Sequence, residues 1–348
     1  MRSSQLLSGD KSDHMHLAAR MIQSGGLVAF PTETVYGLGA DALNPEAVGK
    51  IFAAKKRPVF DPMIIHIAEL KTLMTLVMID PQHRRLLMTL VETFWPGPLT
   101  LVLPRRSLIP NVVTAGLATV AIRMPAHPMA LALIREAGTP IAAPSANPFG
   151  CVSPTMAHHV LKGLGDHVDL ILDGGPCPLG VESTIISFTN GYPKLLRSGS
   201  LSMEDLEAVI GPIAQINHSK GVPCAPGQMA RHYATRTPLT LLPTRGNRPA
   251  VSPGEQIGLL ALSSSCDSDR YAAVEVLSPS GDLKEAARNL FAALHRLDAM
   301  GLDRLWAEPC PEFGMGTAIM DRLRRCAVQE SVSNDDETTT FDQDKQYC

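Results

Sequence analysis

Gly25-Gly-Leu-Val-Ala-Phe-Pro-Thr-Glu-Thr-Val-Tyr-Gly-Leu-Gly39 is the stretch that decides how this chain folds. Ser24-Gly25-Gly26 stops an amphipathic helix over His16 to Gln23. Leu27 to Phe30 is a short apolar run between Gly and Pro, which predicts a buried strand. Polar groups follow at once: Thr32, Glu33, Thr34 and Tyr36. In α/β folds ligands bind beyond the carboxyl ends of strands, so these groups can orient a small polar molecule. The competing reading is a turn in which Thr32 or Thr34 caps a helix. Gly-Leu-Gly is too short to be a dinucleotide fingerprint.

Outward from this stretch, helical patterns near 45–54, 80–94, 128–137 and 154–164 alternate with β-rich runs. The runs fall at 63–68, 99–103, 119–123, 139–142, 168–172, 184–188 and 194–197. Such alternation implies an α/β protein. The pattern breaks over 211–238, which is rich in Pro, Gly and polar residues. It resumes with β-rich 256–262 and 272–277, a helix over 282–299, a strand over 303–307 and a helix over 316–327. Asp282 with Glu285 forms a capping-box pattern. The expected organisation is a catalytic domain over 14–210, a linker or gate over 211–238, a small α/β domain over 239–330 and an acidic tail over 331–348. The tail holds five acids and one Lys, a composition that favours disorder.

The 348 residues are 45% hydrophobic and 19% charged, with a net charge of −3. Residues 1–210 carry 17 basic and 17 acidic side chains, which argues against binding nucleic acid through bulk charge. No apolar run reaches the roughly 20 residues of a membrane span. The seven cysteines include no CxxC pair, so neither a disulfide framework nor a cysteine zinc site is expected. A reducing cytoplasm is the expected home.

Four further segments carry chemistry. Lys55-Lys-Arg57 crowds three cations together, which suits phosphate oxygens, although a solvated helix end would look the same. In Met63-Ile-Ile-His-Ile67, strand alternation puts His66 on the face opposite Ile65 and Ile67, free to line a cleft. Ala143-Pro-Ser-Ala-Asn147 presents a hydroxyl and an amide from a stiffened turn. Gly180-Val-Glu-Ser183 and Leu195-Leu-Arg-Ser-Gly199 place Arg197 by glycine loops, where a phosphate can approach. Arg123 is a cation within an apolar strand, and so is Arg197 at its strand's end; both need partners. GxSxG, HExxH and GxxxxGK[ST] are absent from the sequence. The segments describe a cleft that positions reactants without an obvious covalent nucleophile.

In order and spacing, these segments, together with FWPGPLTLVL, VAIRMP and GVESTII, resemble the threonylcarbamoyl-AMP synthase family in its long form. The resemblance spans about 14–330. It implies a twisted, mostly parallel or mixed sheet around a large cavity (YrdC-like), with a smaller Rossmann-like second domain. It implies a nucleotidyltransferase that makes L-threonylcarbamoyladenylate and pyrophosphate from L-threonine, bicarbonate or CO2, and ATP. That product serves the N6-threonylcarbamoyl modification of adenosine 37 in tRNAs reading ANN codons, through a separate transferase complex. By resemblance, Thr34, His66, Arg123, Ala143 and Ser183 would hold threonine. Lys55, Arg57, Asp61, Thr119, Ser145, Asn147, Ser153, Arg197, His232 and Tyr233 would hold ATP. Lys55 and Arg57 would contribute most to catalysis, and Mg2+ would accompany ATP without protein side chains as ligands. Asp61 stands where the family commonly has Asn, and Asp321 where Asn is common. Two rivals compete with this reading. One is a module that binds double-stranded RNA or tRNA through the cations at 50–57, and weak RNA contact by the enzyme itself stays open. The other is a carbamoyl-transferring relative of metalloenzyme maturation, whose extra zinc-finger and acylphosphatase regions are absent from this sequence.

Overall fold

A computed structural model describes residues 4–189, 191–215, 225–229, 232–246, 249–264 and 268–327. The acidic tail and linker positions 216–224 and 230–231 lie outside them. Eleven strands form one sheet. From edge to edge they are Gln5–Ser8, Leu170–Asp173, Val28–Phe30, Gly37–Asp41, Ile141–Ala142, Ile64–His66, Thr119–Arg123, Leu99–Pro104, Thr184–Ser187, Lys194–Arg197 and Ala214–Gln215. Parallel and antiparallel pairings are equally frequent, so the sheet is mixed.

Local chemistry explains the helices that cover the sheet. Ser12–Gln23 buries Met15, Ala18, Ala19 and Ile22, a single stripe at helical spacing. Pro45–Lys55 starts on Asn44, whose side chain accepts from the Glu46 and Ala47 amides. It ends where Lys56 turns left-handed at φ 53°. That stop leaves Lys55 pointing inward from the last turn.

The second domain is a parallel four-stranded sheet in the order Leu239–Leu241, Arg304–Ala307, Ile257–Ala261, Ala273–Val276. Helices Leu283–Leu297 and Met315–Ala327 pack together beside it. Asp282 caps the first of these by accepting from the Glu285 amide at 2.7 Å. The reciprocal half of the expected capping box is rerouted: the Asp282 amide donates to Ser278 Oγ, and Glu285 accepts from the same hydroxyl.

The two domains share an apolar seam. Val35, Val152 and Val181 of the large domain pack in one cluster with Tyr233, Leu290, Phe291 and Leu294. Gly180 sits at φ +75°, and a Cβ there would come within 2.4 Å of the Arg288 carbonyl oxygen. Only glycine lets the helix backbone approach this closely.

Several expectations need correcting. Residues 31–36 lead into the strand Gly37–Asp41, so neither Thr32 nor Thr34 caps a helix. The sheet begins at Gln5–Ser8, ahead of the expected start at 14, because this short edge strand pairs with Leu170–Asp173. Ala214–Gln215, at the start of the expected linker, pairs with Lys194 and Leu195.

Candidate active site

Parallel register places His66 beside Arg123 at the carboxyl ends of two adjacent strands. Above them the turns at 32–35, 143–145 and 182–183 converge, together with Arg197 and residues 226–227 and 232–233. They enclose a cleft of about 540 Å3, part of it open to solvent.

All five residues expected to hold threonine line this cleft: Thr34, His66, Arg123, Ala143 and Ser183. Arg123 is 3% exposed. It donates from Nη1 to Thr34 Oγ1 (2.9 Å) and from Nε to the Gly97 carbonyl (3.1 Å). Its Nη2 lies 2.5 Å from Glu33 Oε1, a charge contact that lacks hydrogen-bond alignment. Glu33 thus supplies the partner that a buried guanidinium needs. Its pairing is invisible in sequence, since 90 positions separate the two. His66 Nδ1 is buried without a hydrogen-bond partner. Burial, then the charge of Arg123, lowers the imidazole pKa to about 3. His66 is therefore neutral at physiological pH, with one ring nitrogen able to accept a hydrogen bond.

Five of the residues expected to hold ATP also line the cleft: Arg57, Ser145, Arg197, His232 and Tyr233. Arg197 ends its strand buried, with Nε and Nη2 donating to the Ser183 carbonyl and Nη2 also to Ser183 Oγ. The same Ser183 hydroxyl bonds Thr100 Oγ1 at 2.7 Å. The two expected subsites therefore meet at Ser183. Arg57 donates to the Asp61 and Pro62 carbonyls and lies 2.9 Å from Asp61 Oδ2. Burial pushes the Asp61 carboxyl up, and Arg57 pulls the other way. Tyr233 is a non-glycine residue at φ 65°, a strained backbone that persists only where its surroundings enforce it. Here its ring stacks on Phe291, and the guanidinium of Arg322 lies over it.

Lys55, Asp61, Thr119, Asn147 and Ser153 do not line the cleft. Lys55 is buried, with Nζ donating to the Ser145 and Asn147 carbonyls. Burial, then Arg57, holds its pKa well below the ordinary value. In this state Lys55 shapes the 143–147 turn from behind. Asn147 donates to the Pro148 and Cys151 carbonyls, while its Oδ1 is buried without a partner. Ser153 donates to Glu182 Oε1 at 2.6 Å. Thr119 starts the strand that Arg123 ends, roughly 13 Å away at strand rise.

Sequence reasoning singled out Thr32 and Glu33 only as polar groups for a small ligand, without the pairing of Glu33 with Arg123, and gave no role to Glu182, Pro226, Gly227 or Arg322. Glu182 lies on the cleft wall. The rest either lack a local pattern or act through partners distant in the chain. Among the described residues, no group of three or more His, Cys, Asp and Glu side chains could hold a metal ion. No described helix is long and apolar enough to cross a membrane.

This is a two-domain α/β fold with a cation-lined cleft at a strand end, and its comparisons agree. Residues 20–199 match the family model described as telomere recombination, which groups Sua5, YciO and YrdC. Residues 201–328 match the threonylcarbamoyl-AMP synthase C-terminal domain. The chain belongs to the threonylcarbamoyl-AMP synthase family. It is 44% identical to the Pyrococcus abyssi threonylcarbamoyl-AMP synthase, over 90% of this chain and 94% of that one. The Bacillus subtilis enzyme is 43% identical over 89% and 92%. The Schizosaccharomyces pombe enzyme is 36% identical over 86% and 84%. The crystal structure of P. abyssi Sua5 complexed with L-threonine superposes with a TM-score of 0.83 over 90% of this chain and 94% of that one.

Proposed function

We propose that the cleft forms L-threonylcarbamoyladenylate and pyrophosphate from L-threonine, CO2 or bicarbonate, and ATP, as a nucleotidyltransferase. The observation that carries this reading is the convergence of Thr34, His66, Arg123, Ala143 and Ser183 with Arg57, Ser145 and Arg197 on one cleft. The threonine carboxylate pairs with Arg123, and its hydroxyl and amine meet Thr34, Ser183 and neutral His66. The free amine attacks the carbon of CO2 and loses a proton, giving a carbamate. A carbamate oxygen then attacks the α-phosphorus, and pyrophosphate leaves. Negative charge gathers on phosphate oxygens, which Arg57 and Arg197 offset by position and field. Mg2+, carried by the triphosphate without ligands from protein side chains, would neutralise part of that charge when bound. Lys55, Asn147 and Ser153 act on the nucleotide through the turns they hold, and Asp61 through Arg57; Thr119 is left without a role near the chemistry.

His232 and Tyr233 close over the nucleotide and keep water from the fragile carbamate. The product then passes to a separate tRNA-modifying transferase in the cytoplasm. Burial disfavours the RNA-binding alternative: Lys55 and Arg57, half of its basic cluster, point inward and are 1% and 7% exposed. The test is to incubate the protein with ATP, bicarbonate and labelled L-threonine. Threonine-dependent pyrophosphate release with labelled threonylcarbamoyl-adenylate is expected. Pyrophosphate release that ignores threonine would refute the reading.

A further inference from the structure

The helix Met315–Ala327 belongs to the second domain, yet it touches three elements of the cleft wall. Arg322, on this helix, is 0% exposed. Its Nε donates to Glu182 Oε2 at 3.1 Å, and its Nη1 donates to the Ser198 carbonyl at 2.6 Å. Its guanidinium lies 5.4 Å from the centre of the Tyr233 ring. Glu182 adjoins Ser183 in sequence, Ser198 adjoins Arg197, and Tyr233 lines the cleft itself. Asp321 braces the arrangement, accepting from Arg322 Nη1 at 2.9 Å and from Arg325 Nε at 2.9 Å. Arg325 in turn donates to the Met229 carbonyl, and its own carbonyl accepts from the His232 amide at 3.4 Å.

We propose that Arg322 is a positioning residue for synthesis: from the second domain it fixes Glu182, the Arg197 turn and Tyr233 in the geometry that the two substrates require. Three features of the structure converge on this role. Glu182 is a buried carboxylate on the cleft wall, and such a charge needs a paired cation. Burial alone would raise its pKa, but Arg322 and then Arg197 outweigh this and hold it below the usual carboxylate range. Ionised and held on both oxygens, by Ser153 and Arg322, Glu182 cannot swing toward Arg197 and draw it away from a phosphate. Moreover Gly199 is packed so tightly that a Cβ there would come within 2.3 Å of the Ser183 backbone. The 198–199 turn and the 182–183 loop therefore move as one body, and Arg322 grips both. The same guanidinium supports the strained backbone of Tyr233 through its ring. Arg322 does not touch the cleft space, so its effect runs through these neighbours.

The inference rests on the synthase reading of the cleft, and one set of measurements separates the two. Arg322→Gln removes the charge and the fork; Arg322→Lys keeps the charge alone. Arg324→Ala, an exposed site on the same helix whose partner is Glu312, controls for damage to the helix. Glu182→Gln with Arg322→Gln removes both charges at once. We expect Arg322→Gln to lower kcat/KM by about 100-fold, the scale of a misplacement of about 1 Å. Arg322→Lys should recover part of the loss, and Arg324→Ala should match the parent. The double variant should regain thermal stability without regaining rate. A parent that releases no threonine-dependent pyrophosphate would sink the synthase reading alone. Amide exchange at Ser200, whose N–H donates to the Glu182 carbonyl, still decides on Arg322 without turnover. Faster exchange at Ser200 in a folded Arg322→Gln protein supports the positioning role. Parent-like rates and exchange in Arg322→Gln, or activity restored in the double variant, would overturn it.

Discussion

Arg123→Gln separates a fold role from a substrate role at one residue. In the parent, Arg123, itself 3% exposed, meets Glu33, Thr34 and the Gly97 carbonyl. Losing the cation leaves Glu33, itself 5% exposed, as a buried carboxylate with no counter-charge. Breaking such a pair costs about 3–5 kcal/mol, so the thermal midpoint should fall by on the order of 10 °C. Glu33→Gln combined with Arg123→Gln removes both charges and should recover most of that loss. Threonine binding should behave differently. A charge-assisted hydrogen bond to its carboxylate contributes about 1.5–3 kcal/mol, which is roughly a 10- to 150-fold rise in the threonine KM. The double variant should keep that defect, while the KM for ATP stays near the parent value. Thermal melts with threonine- and ATP-saturation curves for the three proteins provide the readings. If the double variant regains both stability and threonine affinity, Arg123 serves the fold alone and the threonine subsite has been misplaced.

Other outcomes follow from the same geometry. L-Valine, which lacks the hydroxyl that Thr34, His66 and Ser183 would bind, should support pyrophosphate release on the order of 10⁴-fold less well than L-threonine; equal rates would remove that assignment. Arg57→Ala should weaken ATP binding in calorimetric titration and leave threonine binding largely intact; the reverse pattern would mean the subsites are exchanged. The rings of His159 and His295 stack across the domain seam at 3.9 Å, among His158, Lys162, Arg296 and Asp298. Burial, then neighbouring positive charge for His159, depresses their pKa values to about 2 and about 4. Below the unfolded value near 6.5 the unfolded chain takes up protons that the folded one refuses. Stability should therefore be full above pH 6.5 and fall toward pH 4 by up to about 1.4 kcal/mol per pH unit from His295, a slope that His295→Gln should flatten in pH-dependent melts. A chain ending at 215, which keeps the edge strand Ala214–Gln215, should fold its large domain yet lose most synthesis, and both substrates together should slow proteolysis near Arg236 in the full chain; an unaffected rate with no protection would leave the linker an inert spacer.

The elements most legible in the sequence were those with local causes. Apolar runs such as Ile64–His66 and Thr119–Arg123 read as strands because their side chains are buried on both sheet faces. Gly37–Asp41 was missed because two glycines remove the side-chain pattern that marks a strand. Gln5–Ser8 was missed because an edge strand is largely exposed and carries no apolar run. In the site, Arg123 and Arg197 were conspicuous because a cation in an apolar strand demands a partner, and Arg57 because it stands in a run of three cations suited to phosphate. Which partner each takes is another matter. Glu33 pairs with Arg123 across 90 positions and Glu182 with Arg322 across 140, contacts that only the folded topology creates. Lys55 shows the same limit: its charge suggested phosphate, but the left-handed stop at Lys56 turns it toward carbonyls of its own chain.

The grip of Arg322 on Glu182 also orders events during synthesis of the chain on the ribosome. Every strand of the large sheet lies before residue 216, so that sheet can assemble while the second domain is still being made. The wall of the cleft acquires its last braces only when residues 322 and 325 have emerged. A chain released early would carry a finished sheet and an unfinished site. It would then hold threonine and ATP poorly instead of spending ATP on an adenylate exposed to water, so that activity itself reports that the chain has been read through its second domain.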